Sequence, residues 1–275
     1  MDGALSDIIA KAAEANPRVD GDYEKDGLLY CGKCNTPKEH IVDLLGKRVK
    51  VACMCRCRSE EFNKWREETI RLNRIEAIKD SAYSEPSNRD CTFENDDGQH
   101  PEILTMCKNY VEQFDEFAAD GKGLLLYGDI GTGKTYAALQ ILNALMDRMY
   151  TAYFNTFAQI ANELFHCDDK CEYINSFARY DILCIDDLGA EHDSQWMTEQ
   201  VFSVIDTRCN SGKPLIVTTN LTSRQMYDKS DKDRARIYSR LYELCSPIEF
   251  VGEDKRIQNF RRDKAKYTQM LRKGL

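Results

Sequence analysis

The hydrophobic positions change period several times along the chain. Between about 102 and 119 apolar residues recur at helical spacing. "GLLLYG" (123–128) is then a short continuous apolar run, and a helical stretch follows over 134–149. The pattern repeats with "TAYFNT" (151–156), two short helical stretches over about 157–179, and "DILCIDD" (181–187). A helix over 195–211, "PLIVTTN" (214–220), a helix around 234–245 and "PIEFVG" (247–252) complete it. Short apolar runs alternating with helices predict a parallel sheet whose two faces are both covered, an α/β domain.

The first ninety residues read differently. Residues 1–15 suggest a short helix, and "NPRVDGDYEKDG" (16–27) is rich in turn formers and reads as a linker. Residues 28–60 hold a cysteine cluster with a hairpin expected around Gly46. "RSEEFNKWREETIRLNRIEAIKDSAY" (58–83) is highly charged and reads as a solvated connecting helix. "SEPSNRDCTFENDDGQHPE" (84–102) is a loop-rich boundary. These shifts divide the chain into a helix and linker (1–27), a cysteine module (28–60), a connecting helix and linker (61–92), an α/β domain (93–252) and a basic tail (253–275).

The chain has 275 residues, enough for one large core and a small module. No run approaches the roughly 18–20 apolar residues that span a bilayer, and the N-terminus lacks a basic segment followed by an apolar one. A cytoplasmic protein without membrane contact is expected. Net charge is −8, which argues against indiscriminate coating of DNA. The charge is uneven, since residues 255–275 carry eight Lys/Arg against one Asp.

"GDIGTGKT" (128–135) completes the pattern G-x-x-x-x-G-K-[ST], with a strand before it and a helix after. Gly128, Gly131 and Gly133 allow the backbone between them, through Asp129, Ile130 and Thr132, to turn its N–H groups inward around phosphate oxygens. Lys134 is placed to reach the β- and γ-phosphates of ATP and Thr135 to ligate Mg²⁺. "ILCIDD" runs apolar residues into Asp186 and Asp187. Asp186 is the expected magnesium partner, and Asp187 stands where a carboxylate would polarise the attacking water, with slow turnover expected from its short side chain. Asn220 ends the next strand and reads as a sensor that positions that water. Arg234, Arg236 and Arg240 follow; Arg236 and Arg240 share a helix face, and phosphoryl transfer gains from a guanidinium brought to the γ-phosphate by a neighbouring subunit.

Twelve cysteines are many for a reducing compartment. Cys31 and Cys34 form a C-x-x-C knuckle, and Cys53, Cys55 and Cys57 follow at alternate positions. Two such pairs suit tetrahedral zinc in a segment too small for its own apolar core. The metal needs two of the last three cysteines, unless His40 replaces one. If the stretch stays extended all three share a face, and spacing leaves the choice open.

Taken together, "GDIGTGKT", "DILCIDDLGAE", "GKPLIVTTNL" and "RIYSRLYELCSPIEF" resemble the AAA+ ATPases that load replicative helicases in bacteria and their phages, of the DnaC/DnaI type. The related helper ATPases of insertion sequences, of the IstB type, share much of the pattern. The resemblance covers about 93–252 and extends to the cysteine module. It implies an AAA+ P-loop NTPase fold and ATP-dependent self-association through the ATPase domain. It also implies a hexameric replicative DNA helicase as partner, delivered onto single-stranded DNA. Asn220 then takes the sensor position and Arg240 the trans-acting one. The cysteine module would contact the helicase, with zinc structural. The DNA surface is expected near "YFNTFAQIANELF" (153–165), and the short tail predicts no second sensor arginine. Competing readings are a transposition helper binding duplex DNA and a transposase, a P-loop small-molecule kinase, and a zinc adapter that binds ATP without hydrolysing it.

Overall fold

The computed structural model describes residues 17–44, 46–189, 195–228, 230 and 232–273. The helix expected over 1–15 lies outside them. The chain forms two compact units that divide between Asn73 and Arg74, inside one long helix.

The first unit holds two hairpins and the start of that helix. β1 (Tyr23–Lys25) pairs antiparallel with β2 (Leu28–Tyr30). Asp26 and Gly27 link them with φ of 51° and 72°, the left-handed pair that a two-residue hairpin turn needs to match strand twist. Part of the expected linker is therefore strand. β3 (Glu39–Leu44) pairs with β4 (Lys47–Ala52) in the expected hairpin around Gly46. Helix α1 then runs from Arg56 to Ala82. Lys38 and Asp22 form an ion pair at 2.6 Å with side chains only 4% and 1% exposed. The Lys38 ammonium also donates to the Pro17 carbonyl, and Asp22 accepts from the Val19 and Gly32 N–H groups. This polar knot ties residues 17–22 to the cysteine knuckle.

The second unit is built on a five-stranded parallel sheet in the order β6 (Ala152–Thr156), β7 (Ile182–Asp186), β8 (Leu215–Thr219), β5 (Gly123–Gly128), β9 (Cys245–Phe250). Helices α2 (Pro101–Glu112), α3 (Phe114–Ala119) and α4 (Lys134–Asp147) follow α1 in chain order. Beyond β6 come α5 (Phe157–His166), α6 (Lys170–Ser176), α7 (Gln195–Asn210), α8 (Ser223–Met226), α9 (Lys232–Leu244) and α10 (Lys255–Leu271).

The alternation of a strand explains the continuous apolar runs. Leu124 and Leu126 of β5 join one core with Ile141, Leu142 and Leu145 of α4. Leu125, between them, points to the opposite core with Phe157, Ile160, Val204, Ile205 and Leu241 from α5, α7 and α9. Every residue of β7 and β8 is buried, because layers cover both faces of the sheet.

The core of the second unit includes a buried cation. Arg208 of α7 is 0% exposed and has no carboxylate hydrogen-bond partner. Its guanidinium donates five hydrogen bonds of 2.7–3.0 Å to the carbonyls of Phe177, Tyr180, Asp181 and Pro214. Burial lowers its pKa to about 10, which leaves it charged at neutral pH. It fastens the entrance of β7 to the entrance of β8 and so sets the strands that end in the site.

Candidate nucleotide site and cysteine centre

The strand order places β8 between the phosphate-loop strand β5 and the acid-bearing strand β7. Side chains at the end of β8 can therefore reach both. Gly128, Gly131 and Gly133 have φ of 123°, 73° and 100°, and a β-carbon on Gly128 would meet the Phe250 carbonyl oxygen at 2.2 Å. The loop is thus limited to glycine by backbone conformation and by close approach of β9. Thr132 Oγ1 donates to the Asp129 carbonyl at 2.8 Å and fixes its curvature. Lys134 is buried at the start of α4, and its ammonium donates back to the carbonyls of Gly128 and Asp129 at 3.0 and 2.5 Å. Burial lowers its pKa, opposed by the carboxylates of Asp187, Asp129 and Asp186.

Asp186 lies at the end of β7 and is buried. One of its oxygens accepts from Thr135 Oγ1 at 2.8 Å and from Thr218 Oγ1 at 2.6 Å. Desolvation raises its pKa, and the two hydroxyls work against that shift. Asp187 has φ of 55°, a left-handed conformation uncommon outside glycine, and its N–H donates to Thr218 Oγ1 at 2.9 Å. That turn separates the two carboxylates: Asp186 faces Thr135, while Asp187 accepts from Asn220 Nδ2 at 2.7 Å. Thr218, which sequence reasoning passed over inside "VTTN", holds both acids in place.

These residues line one cleft enclosing about 1070 Å³ including its open mouth. Its far wall carries Lys255 and Arg256 from the first turn of α10. No second sensor arginine is expected from the sequence, yet Arg256, after β9, lines this cleft. The chain turns at Gly252, Asp254 caps α10, and the Lys255 N–H donates to the Gly131 carbonyl at 3.0 Å. A short tail reaches the cleft because it starts on the phosphate loop itself.

Arg240 does not enter the cleft of its own chain. It lies on α9, bonded to Glu243 at 2.9 Å and near Asp206 at 3.6 Å. Arg236 stacks over the Phe202 ring at 3.8 Å. In the segment expected to meet DNA, Phe157 is core and Phe154 packs against the core, whereas Phe165 is exposed.

In the first unit Cys31, Cys34, Cys55 and Cys57 bring their sulfurs within 4.8 Å of one another. Cys57 Sγ lies 3.4 Å from Cys55 Sγ and 3.7 Å from Cys31 Sγ. Tetrahedral zinc with Zn–S bonds near 2.3 Å needs sulfurs roughly 3.8 Å apart, so the donor set fits that ion. The Thr36 hydroxyl at 3.0 Å, foremost, draws the Cys34 thiol down to about 5, while the hydrogen bond with Cys55, foremost, pushes Cys57 up to about 12, so the two sulfurs of the set differ in their readiness to ionise. Cys53 and His40 do not join the cluster. The stretch does not stay extended, because β4 ends at Ala52 and α1 begins at Arg56, so the chain bends between the rungs. Cys53 Sγ turns to the Pro37 carbonyl, and His40 sits on β3 opposite Val51.

The fold and cleft define an AAA+ P-loop NTPase, a nucleotide-binding class recognised by the glycine loop, the acid strand and the polar strand between them. Within that class the chain belongs to the family described as IstB-like ATP binding protein, which matches residues 110–263. It is 27% identical over 197 residues to the replicative helicase loader DnaI of Bacillus subtilis, covering 66% of this chain and 63% of DnaI. It is 26% identical over 240 residues to the phage-like element PBSX protein XkdC of Bacillus subtilis, covering 83% of this chain and 84% of XkdC. With the replicative helicase loader DnaC of Escherichia coli it shares 29% over 150 residues, 51% of this chain and 60% of DnaC. A crystal structure of DnaI superposes with a TM-score of 0.52 at 24% identity, covering 62% of this chain and 96% of that one. The DnaC helicase loader gives 0.51 at 23%, covering 61% and 100%. These structural likenesses establish the fold.

Proposed function

We propose that this protein binds and hydrolyses ATP with Mg²⁺ and loads a hexameric replicative helicase onto single-stranded DNA. The observation that carries the chemistry is the pair of acids tied by Thr218 and turned apart at Asp187, with the Asp186 carboxylate on Thr135 and that of Asp187 on Asn220. The similarity to two proteins described as replicative helicase loaders supports the biological role.

When ATP enters, Lys134 exchanges the Gly128 and Asp129 carbonyls for phosphate oxygens. Bound magnesium supplies charge neutralisation at the β- and γ-phosphates, and Thr135 and Asp186 are the residues that would hold it. Asp187, oriented by Asn220, accepts a proton from the attacking water. The new P–O bond forms at the γ-phosphorus as the bond to the β–γ bridging oxygen breaks, and ADP and phosphate leave. Arg240 reaches the γ-phosphate of a neighbouring copy; its exposed pairs with Glu243 and Asp206 are weak enough to exchange. In the N-terminal unit zinc on Cys31, Cys34, Cys55 and Cys57 staples a module that docks on the helicase.

The test is to mix the purified protein with the replicative helicase of its host, with and without ATP, and measure complex mass. An ATP-dependent complex supports the reading. Absence of any complex, together with ATP-dependent filaments on duplex DNA, overturns it in favour of a transposition helper.

A further inference from the structure

Helix α10 presents several large apolar side chains to solvent. Ile257, Phe260, Tyr267, Met270 and Leu271 are 50–82% exposed. Phe260 and Tyr267 are seven residues apart, two helical turns or about 10.5 Å, so both rings stand on one face. Lys264 lies between them on the same face, with its ammonium 5.9 Å from the Phe260 ring centre, and Lys266 lies 5.5 Å from that of Tyr267. Residues 255–275 carry seven net positive charges, eight basic less one acidic. The chain as a whole carries −8, so the remaining residues carry fifteen net negative charges.

We propose that α10 is a single-stranded nucleic-acid arm, in which bases stack on Phe260 and Tyr267 and phosphates pair with Arg261, Lys264 and Lys266. Charge complementarity selects the occupant: the acidic body repels a polyanion and the arm attracts it. Ring spacing and a central cation select the form. Lys264 stands in the seam between the two aromatic rings, and the seven net positive charges of the segment favour a polyanion over an apolar partner. Alternating rings and cations instead match a backbone that presents a phosphate beside each base. The arm is tied at its base to the phosphate loop by the Lys255 N–H to Gly131, and to the loop before α2 by Lys255 Nζ to Asp97 at 2.8 Å. This inference rests on the reading that single-stranded DNA is a partner and assigns the surface away from 153–165.

The experiment measures anisotropy of a fluorescein-labelled oligothymidylate with the full chain, in a salt series. Three proteins are compared: the parent, Phe260→Ala/Tyr267→Ala, and Arg261→Glu/Lys264→Glu. The aromatic pair should weaken binding roughly tenfold for each ring and leave the salt dependence in place. The charge-reversed pair should weaken binding and lower the salt slope by about 0.7 for each phosphate that no longer meets a cation. ATP affinity, measured on the same samples with a fluorescent analogue, should be unchanged. Aromatic variants that bind the oligonucleotide like the parent overturn the arm. So does loss in the variants of self-association, or of binding to phosphatidylglycerol vesicles, in place of DNA binding. A parent that captures helicase yet ignores oligothymidylate also overturns the arm and leaves the helicase reading intact.

Discussion

Replacing Arg208 with methionine tests how the sheet is held in register at the nucleotide site. Methionine fills much of the volume of the aliphatic stem and removes the charge. It also takes away all five donors from the carbonyls of Phe177, Tyr180, Asp181 and Pro214. Pro214 keeps a longer bond from the Leu183 N–H at 3.4 Å, so three carbonyls lose the most. A buried acceptor stripped of its donor costs about 1–3 kcal/mol, giving a loss of about 3–9 kcal/mol before compensation. Removing a desolvated guanidinium returns part of that, which places the net loss near the lower end, about 3–5 kcal/mol. That is a large share of the roughly 5–15 kcal/mol by which a domain is stable. The chain has two tryptophans, Trp65 and Trp196. In a Trp65→Phe background the fluorescence of Trp196 reports urea unfolding of the ATPase unit. Arg208→Lys, which keeps the charge but concentrates its donors on one atom, should fall between. An Arg208→Met protein within about 1 kcal/mol of its parent, at unchanged denaturant slope, would refute the idea that these bonds carry the strand entrances.

Other outcomes follow from the two sites. Serine at Cys55 or Cys57 should abolish retention of zinc by the purified protein, and serine at Cys53 should leave the stoichiometry at that of the parent, as read by elemental analysis; chelation of the parent should loosen residues 17–57 to proteolysis. Asp187→Asn should lower steady-state ATP hydrolysis roughly hundredfold or more with ATP affinity retained, and Asn220→Ala should lower it roughly tenfold through loss of the 2.7 Å bond; undiminished turnover in Asp187→Asn would remove that residue from the chemistry. Lys38→Met should cost about 3–5 kcal/mol in the N-terminal unit by stranding the Asp22 carboxylate. Foremost, the Lys38 hydrogen bond lowers the Asp22 pKa from 3.8 to about 2. The stability it confers is therefore present above pH 3.8 and is lost as pH falls toward 2, a change that should be smaller in metal-free Lys38→Met than in metal-free parent, because the Val19 and Gly32 N–H bonds to Asp22 remain.

Much of the nucleotide site was legible because its information is local. The phosphate loop needs consecutive backbone N–H groups, so glycines, lysine and threonine must be neighbours in sequence. The acids must end a buried strand, so "ILCIDD" announces itself. Each parallel strand is buried on both faces and reads as an apolar run. The cysteine knuckle at 31 and 34 is local in the same way.

What the tertiary structure decided depends on contacts between distant segments. Thr218 looks like any strand threonine until β8 is inserted between β5 and β7, where one hydroxyl can hold Asp186 and Asp187 together. Arg208 looks like a surface helix residue until its helix packs over the entrances of two strands. The choice among Cys53, Cys55 and Cys57 turned on where a strand stops and a helix starts, and strand spacing alone favoured none of them. Lys255 and Arg256 reach the cleft only because the turn after β9 returns to the loop at Gly131. Composition and periodicity therefore determined the α/β class, the phosphate loop and the presence of a thiolate centre. Long-range packing decided which hydroxyl, which cations and which two cysteines complete the sites, since hydrogen bonding and metal ligation depend on angstrom-scale proximity that sequence separation does not encode.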